Sequence, residues 1–187
     1  MGTANRQLFF VALLLPPDLG AIASGWQHYC VERFQTKKAL NSPPHITLQP
    51  PFKFPVADID HLENIPQTFT QSQISFSIQL TGFNCFAPRV VYIDVQLTPP
   101  LQDCQSQLKT AFGTQLNIQD QRYGDRPFCP HVTIAFKDLS RTNFDRAWAF
   151  FRERSLNHCF TAGGLSLLQH NGRHWQVRAN FPFHTLA

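Results

Sequence analysis

Two pentapeptides decide how this sequence reads: Pro44-His45-Ile46-Thr47-Leu48 and Pro130-His131-Val132-Thr133-Ile134. The histidines stand 86 positions apart. Side chains on a strand alternate between faces. His45, Thr47 and Gln49 therefore share one face, and Ile46 and Leu48 the other. In the second copy His131 and Thr133 oppose Val132, Ile134 and Phe136. The apolar set belongs under helices, so the His-Thr set points away from that core. One His-x-Thr strand carries little information. A second copy at the matching place of an internal repeat carries much more, because two repeats related by a pseudo-twofold axis bring both pairs to one cleft.

The repeat extends outward from these motifs. Leu8–Leu15 reads as a strand buried on both faces. Pro17 and Asp18 open a helix expected to run to about Lys38, with Leu19, Ile22, Trp26, Tyr29, Val31 and Phe34 near the helical period. Pro43-Pro44 ends it. His45–Gln49 is a short strand, Pro50-Pro51-Phe52 an extended loop, and Ala57–Gln67 a short helix. Ile74–Leu80 alternates as a half-buried strand does. After a turn near Pro88 the order returns: strand Val90–Leu97, helix Pro99–Phe112, loop Asp120–Pro130, strand His131–Phe136, helix Asn143–Arg154. Phe160–Leu168 and His174–Asn180 form a hairpin across Asn171-Gly172. Each half reads β-α-β-α-β, with a period of roughly 85 residues. This predicts an α+β, bilobal, internally duplicated fold: two antiparallel-rich sheets facing a central cleft, with helices outside. Residues 1–187 form a single compact domain of two similar lobes, about 1–85 and 86–187, whose sheets share strands.

Composition narrows the function classes. Of 187 residues, 43% are hydrophobic and 15% charged, which excludes a disordered chain and a heavily basic nucleic-acid coat. The net charge of +4 is a mild lean toward anions. The cysteines at 30, 85, 104, 129 and 159 form no CxxC, so neither a disulfide framework nor a zinc site is expected, and the cytoplasm is the expected compartment. Arg6, the apolar run Leu8–Leu15 and Ala21-Ile22-Ala23 loosely mimic a secretory leader. Pro16, Pro17 and Asp18 after the run read instead as a strand-to-helix junction. No stretch approaches the ~20 apolar residues of a membrane span. The expectation is a monomer with no membrane attachment and no obligate protein partner.

Two histidines facing one another suit phosphoryl chemistry. A neutral imidazole takes a proton from a nucleophile while a protonated one gives a proton to the leaving oxygen. Threonine hydroxyls donate to the non-bridging oxygens. Neither step requires a metal or another cofactor. His170 and His174 flank the Asn171-Gly172 turn but lack a third ligand in sequence.

On these two motifs the sequence resembles the 2H phosphoesterase superfamily, which has two H-x-[ST]-x motifs and includes the 2′-5′ RNA ligase and cyclic phosphodiesterase proteins. The likeness spans the Phe9–Leu15 strand, both pentads, the Gly82-Phe83 to Asp94 hairpin and the closing strands. It implies a metal-independent phosphodiesterase that hydrolyses a cyclic phosphate on a nucleotide or RNA end. His45 and His131 would be its catalytic pair, and Thr47 and Thr133 its phosphate-binding residues. The resemblance assigns water activation to His131 and leaving-group protonation to His45. Related readings are 2′-5′ RNA ligation, RNA 3′-end processing, and a nucleotide- or RNA-binding module without turnover. A metallo-hydrolase built on scattered histidines is a weaker alternative. In the ligase-like subgroup an Arg often follows the second motif; here the continuation is Ala135-Phe136-Lys137. Phe52 and Lys53 after the first motif, and Arg122, Tyr123, Arg126 and Phe128 before the second, are candidate substrate contacts. Arg89 reads as surface charge and Trp175 as a core residue, with phosphate contact and base stacking as their respective alternatives.

Overall fold

A computed structural model describes residues 5–118 and 126–184. In chain order the elements are β1 (Arg6–Leu14), α1 (Pro17–Phe34), β2 (His45–Pro55), α2 (Ile59–Thr70), β3 (Phe76–Phe86), β4 (Val90–Val95), α3 (Pro99–Leu116), β5 (His131–Ala135), α4 (Arg141–Phe151), β6 (Asn157–Ala162), β7 (Gly164–His170) and β8 (Trp175–Pro182). The strands form one antiparallel eight-stranded sheet in the order β6-β3-β4-β5-β2-β1-β7-β8. The architecture is α+β with an antiparallel sheet, and the two four-stranded halves meet at the seam between β2 and β5. The half β2-β1-β7-β8 draws strands from both ends of the chain, and the half β6-β3-β4-β5 from its middle, so the lobes are not the two sequence halves 1–85 and 86–187.

The repeat is visible in the caps as well as in the order. Both α1 and α3 start at prolines, whose fixed φ suits the first helical turn. Both are 18 residues long and end at a left-handed residue, Gln35 at φ 56° and Asn117 at φ 52°. That left-handed cap explains why α1 stops at Phe34 and not near Lys38. The Gln35 and Thr36 amides turn back to the Val31 and Cys30 carbonyls and close the helix. The helix before the second motif, by contrast, runs on past Phe112 to Leu116.

The main core lies between the sheet and the helices. It joins Phe9, Val11 and Leu13 of β1, Ile46 and Leu48 of β2, and Val132 and Ile134 of β5 to Ala23, Cys30, Leu62, Leu101, Leu108 and Phe144. Where α1 and α4 approach β3, Trp26, Tyr29, Phe34, Phe83, Phe150 and Phe151 form a cluster of mostly edge-to-face rings.

Two sequence expectations change. The strand after the first motif does not end at Gln49. It continues to Pro55, with its prolines at an irregularity in the β1 pairing, where a missing N–H costs no ladder bond. The expected single strand Phe160–Leu168 divides at Gly163. Its first part, β6, pairs with β3, and its second part, β7, pairs with β1 on the far half. One residue makes that connection, so the sheet has to curl. The chain end agrees with the curl: the His184 and Ser75 segments bridge, with Ser75 N–H donating to His184 O at 2.9 Å.

Gly164 begins β7 under close constraint. A Cβ there would stand 2.5 Å from the Phe181 carbonyl oxygen and 3.0 Å from Pro182 Cα. Both obstacles are backbone and cannot rotate away. Gly164→Ala is expected to cost about 1–3 kcal/mol, the usual range for overpacking, read as a lower urea midpoint with an unchanged m-value. An unchanged midpoint would show that the β7–β8 pairing has slack.

Candidate active site

The two motifs sit side by side. β2 and β5 pair antiparallel with Ile46 opposite Val132. Neighbouring positions then run in opposite senses, which sets Thr47 across from His131 and His45 across from Thr133. All four side chains are half-buried, while Ile46 and Val132 beneath them are fully buried. The expected convergence of the His-Thr pairs therefore takes place at a strand seam, and cross-strand neighbours of this kind lie within ~5.5 Å at Cβ.

Each threonine is followed by a bulge. Ala12 pairs with Thr47 but Val11 pairs with Gln49, leaving Leu48 extra. Tyr92 pairs with Thr133 but Val91 pairs with Ala135, leaving Ile134 extra. The device is repeated at matching positions, and it overturns the expected placement of Gln49 beside Thr47. The extra residue turns Gln49 to the side of core residue Val11, where it is buried. Helices satisfy the carbonyls at these irregularities. Gln27 of α1, itself buried, donates through Nε2 to Thr133 O at 3.1 Å, and Gln105 of α3 donates to Leu48 O at 3.4 Å. Sequence reasoning missed both glutamines. The available signal was a polar residue in the buried stripe Ala23, Gln27, Cys30, Phe34.

The histidine rings are held alike. His45 Nδ1 lies 2.6 Å from Pro43 O, and His131 Nδ1 lies 2.8 Å from Cys129 O. A carbonyl can only accept, so Nδ1 carries the hydrogen in each case, and in the neutral ring Nε2 is left with its lone pair. The surroundings differ. His45 stands opposite Leu14 with the Phe10 ring 4.7 Å away. His131 stands opposite Asp94, with Tyr92 and Phe86 rings each 5.0 Å away. Burial pushes the His45 imidazole down to about 4, against the raising effect of the Pro43 carbonyl, and the neighbouring His131 charge adds to the lowering. Burial also lowers His131, but the Cys129 carbonyl and the Asp94 carboxylate oppose it. Asp94 is fixed by accepting from Val95 N–H at 3.1 Å and Asn84 Nδ2 at 3.5 Å.

The other candidates scatter. Phe52 points into the helix-side core, against Phe9 at 6.3 Å and Phe112 at 5.6 Å. Lys53 is exposed and pairs across from Leu8. Arg126 is exposed, and half-buried Phe128 packs on the core. Tyr123 and Arg122 lie outside the described residues. Trp175 is absent from the main core and sits in a small cluster with Phe10 and Leu168. Among the described residues, no three His, Cys, Asp or Glu side chains gather as metal ligands would, and no helix is long and apolar enough to cross a membrane.

Comparison with known proteins places this geometry. In curated sequences, 97 residues are 32% identical to a Bacillus cytotoxicus protein named "Putative phosphoesterase", covering 51% of this chain and 52% of that one. A namesake from Bacillus mycoides is 32% identical over 100 residues, 52% of this chain and 54% of that one. The chain thus spans about half the length of the curated relatives it matches. The fold is that of TT0787 from Thermus thermophilus (TM-score 0.68, 17% identity, 96% of this chain and 100% of that one). It is equally that of Escherichia coli LigT in complex with 3′-AMP (TM-score 0.67, 17% identity, 96% and 99%). The family model of the 2′-5′ RNA ligase superfamily matches residues 15–174, a span that holds both His-x-Thr strands and the seam between them, and the chain belongs to that superfamily, the 2H phosphoesterases.

Proposed function

We propose that this chain is a metal-independent phosphodiesterase that opens a cyclic phosphate, a 2′,3′-cyclic nucleotide or RNA end, by two-histidine acid–base catalysis. The observation that carries the reading is the matched pair of imidazoles, each with Nδ1 committed to a backbone carbonyl and Nε2 left for proton transfer. Thr47 and Thr133, each across the seam from the opposite histidine, supply hydroxyl donors for the non-bridging oxygens. Water attacks phosphorus and loses a proton to one imidazole. The phosphorus–oxygen ester bond breaks, and the departing oxygen takes a proton from the other.

The surroundings favour a particular division of roles. The Asp94 carboxylate favours a proton on His131, and a protonated His131 disfavours one on His45. The first proton to enter the pair goes to His131. In this reading His131 is the acid and His45 the base, the reverse of the assignment that the resemblance alone implies.

Three outcomes test this. His45→Ala and His131→Ala should each lower kcat on nucleoside 2′,3′-cyclic phosphates by about 10²–10⁴-fold, with the parent activity intact in EDTA. Unaltered turnover in both variants, or loss on chelation, would overturn the reading. Asp94→Asn should move the alkaline limb of the pH–rate profile to lower pH and leave the acid limb in place. Movement of the acid limb alone would restore His131 as base. In NMR titrations both imidazoles should titrate below their ordinary ~6.5, His45 near 4 and below His131. Stability should then climb as pH rises from about 4 to 6.5, because the unfolded chain binds more protons than the folded one in that window.

A further inference from the structure

Not all of the buried apolar surface lies under the helices. Phe10, Ala12 and Leu168, with half-buried Leu14 and Trp175, form a second cluster to which, among the described residues, no helical residue contributes. Ala12 pairs with Thr47 and Leu14 with His45. Cross-strand partners share a face, so this cluster lines the same side of the sheet as the His-Thr pairs. Phe10 is only 3% exposed, and aromatic rings cover it. Its centroid lies 4.7 Å from the His45 ring and 4.6 Å from Trp175. Trp175 lies 4.9 Å from His170. The ladder runs from the imidazole of His45 to the β7–β8 hairpin.

The indole is gripped and still partly open. It meets Phe10 at 78° and His170 at 72°, two near-perpendicular contacts that fix its plane. His170 is itself oriented by the hairpin, accepting from Gly172 N–H at 3.1 Å. Two ring-to-ring steps separate the indole from the His45 imidazole, comparable to the span of a sugar between a phosphate and its base. An aromatic base has a π-face to offer the indole.

We propose that Trp175, backed by Phe10 and His170, is the stacking face for the base of a nucleotide whose phosphate lies between His45 and His131. This rests on the reading of the histidine pair as the phosphate site. Base identity is read weakly by such a face, because every base presents a π-surface. Binding should therefore depend on an aromatic ring in the ligand more than on which base it is.

Calorimetric titration of the full chain with adenosine 3′-monophosphate and with glycerol phosphate tests the assignment. Trp175→Leu keeps apolar bulk against Phe10 but removes the aromatic face. It should weaken adenosine 3′-monophosphate about tenfold and glycerol phosphate less than about twofold, while Trp175→Phe stays within about threefold of the parent for both. Equal affinity for the nucleotide in parent and Trp175→Leu, or equal losses for both ligands, would overturn the proposal. Nuclear Overhauser contacts between adenine and indole protons in the unmutated chain give a check independent of any variant's folding, and their absence at saturating nucleotide would overturn it too. Tight, Trp175-dependent binding without turnover of cyclic phosphates would defeat the catalytic reading alone. Turnover with Trp175-independent binding would defeat this one alone.

Discussion

One antiparallel contact organises the molecule: Ile46 against Val132 at the seam of β2 and β5. Both side chains are fully buried and face the helices. Strand alternation then leaves no choice for their neighbours, and His45, Thr47, His131 and Thr133 are turned to the other side. A slip of one residue in either strand would put a histidine in the core and an isoleucine or valine in the cleft. The register is thus specified by the same apolar burial that stabilises the fold. The bulges after Thr47 and Thr133 end the alternation where it is no longer needed and return Gln49 and Ala135 to the buried side. The glutamines from α1 and α3 make those bulges tolerable by donating a hydrogen bond to a carbonyl in each region.

Within this near-symmetric frame the two histidines are inequivalent. The carbonyl contacts at Nδ1 are alike, so tautomer does not distinguish them. The cross-strand partner does: Leu14 for His45 and Asp94 for His131. A symmetric pair would share a proton without preference. Replacing a leucine by an aspartate at equivalent positions in the repeat is enough to bias which ring charges first. The aromatic surroundings diverge as well, with Phe10 and Trp175 on one side and Tyr92 and Phe86 on the other.

The histidine pair, the repeat and the α+β class were legible because they are written locally: a Pro-His-x-Thr strand twice, and strand and helix periods in the same order twice. What stayed hidden depends on distant pairing. Nothing local in Phe160–Leu168 announces that its two ends join opposite halves of the sheet; Gly163 and Gly164 were the only clue, and the clash that requires Gly164 comes from Phe181. Pro50-Pro51 looked like a loop because proline cannot donate, yet the irregular pairing with β1 accommodates it. Phe52 looked like a substrate contact by its nearness to the motif, but it has the parity of Ile46, and the two irregularities between Thr47 and Phe52 cancel and leave it on the core side opposite Phe9. Asp94 carried no signal beyond its place at the end of a strand, since its partner is fixed only by the β4–β5 register.

The depressed histidines also clarify how a lightly charged chain can attract an anion. With both imidazoles pushed below their ordinary range by burial, the imidazole pair by itself is close to neutral near pH 7. Under the proposed function a phosphate between them reverses the balance, because a nearby negative charge favours the protonated ring. His131, already biased by Asp94, charges first, and its charge then helps keep His45 neutral. Arrival of the anion and loading of the acid become one event, coupled through the same few ångströms of low-dielectric space. A permanent cation such as lysine would hold phosphate without this coupling. Under the proposed function, two half-buried histidines with unlike neighbours tie binding to the proton arrangement that the reaction requires.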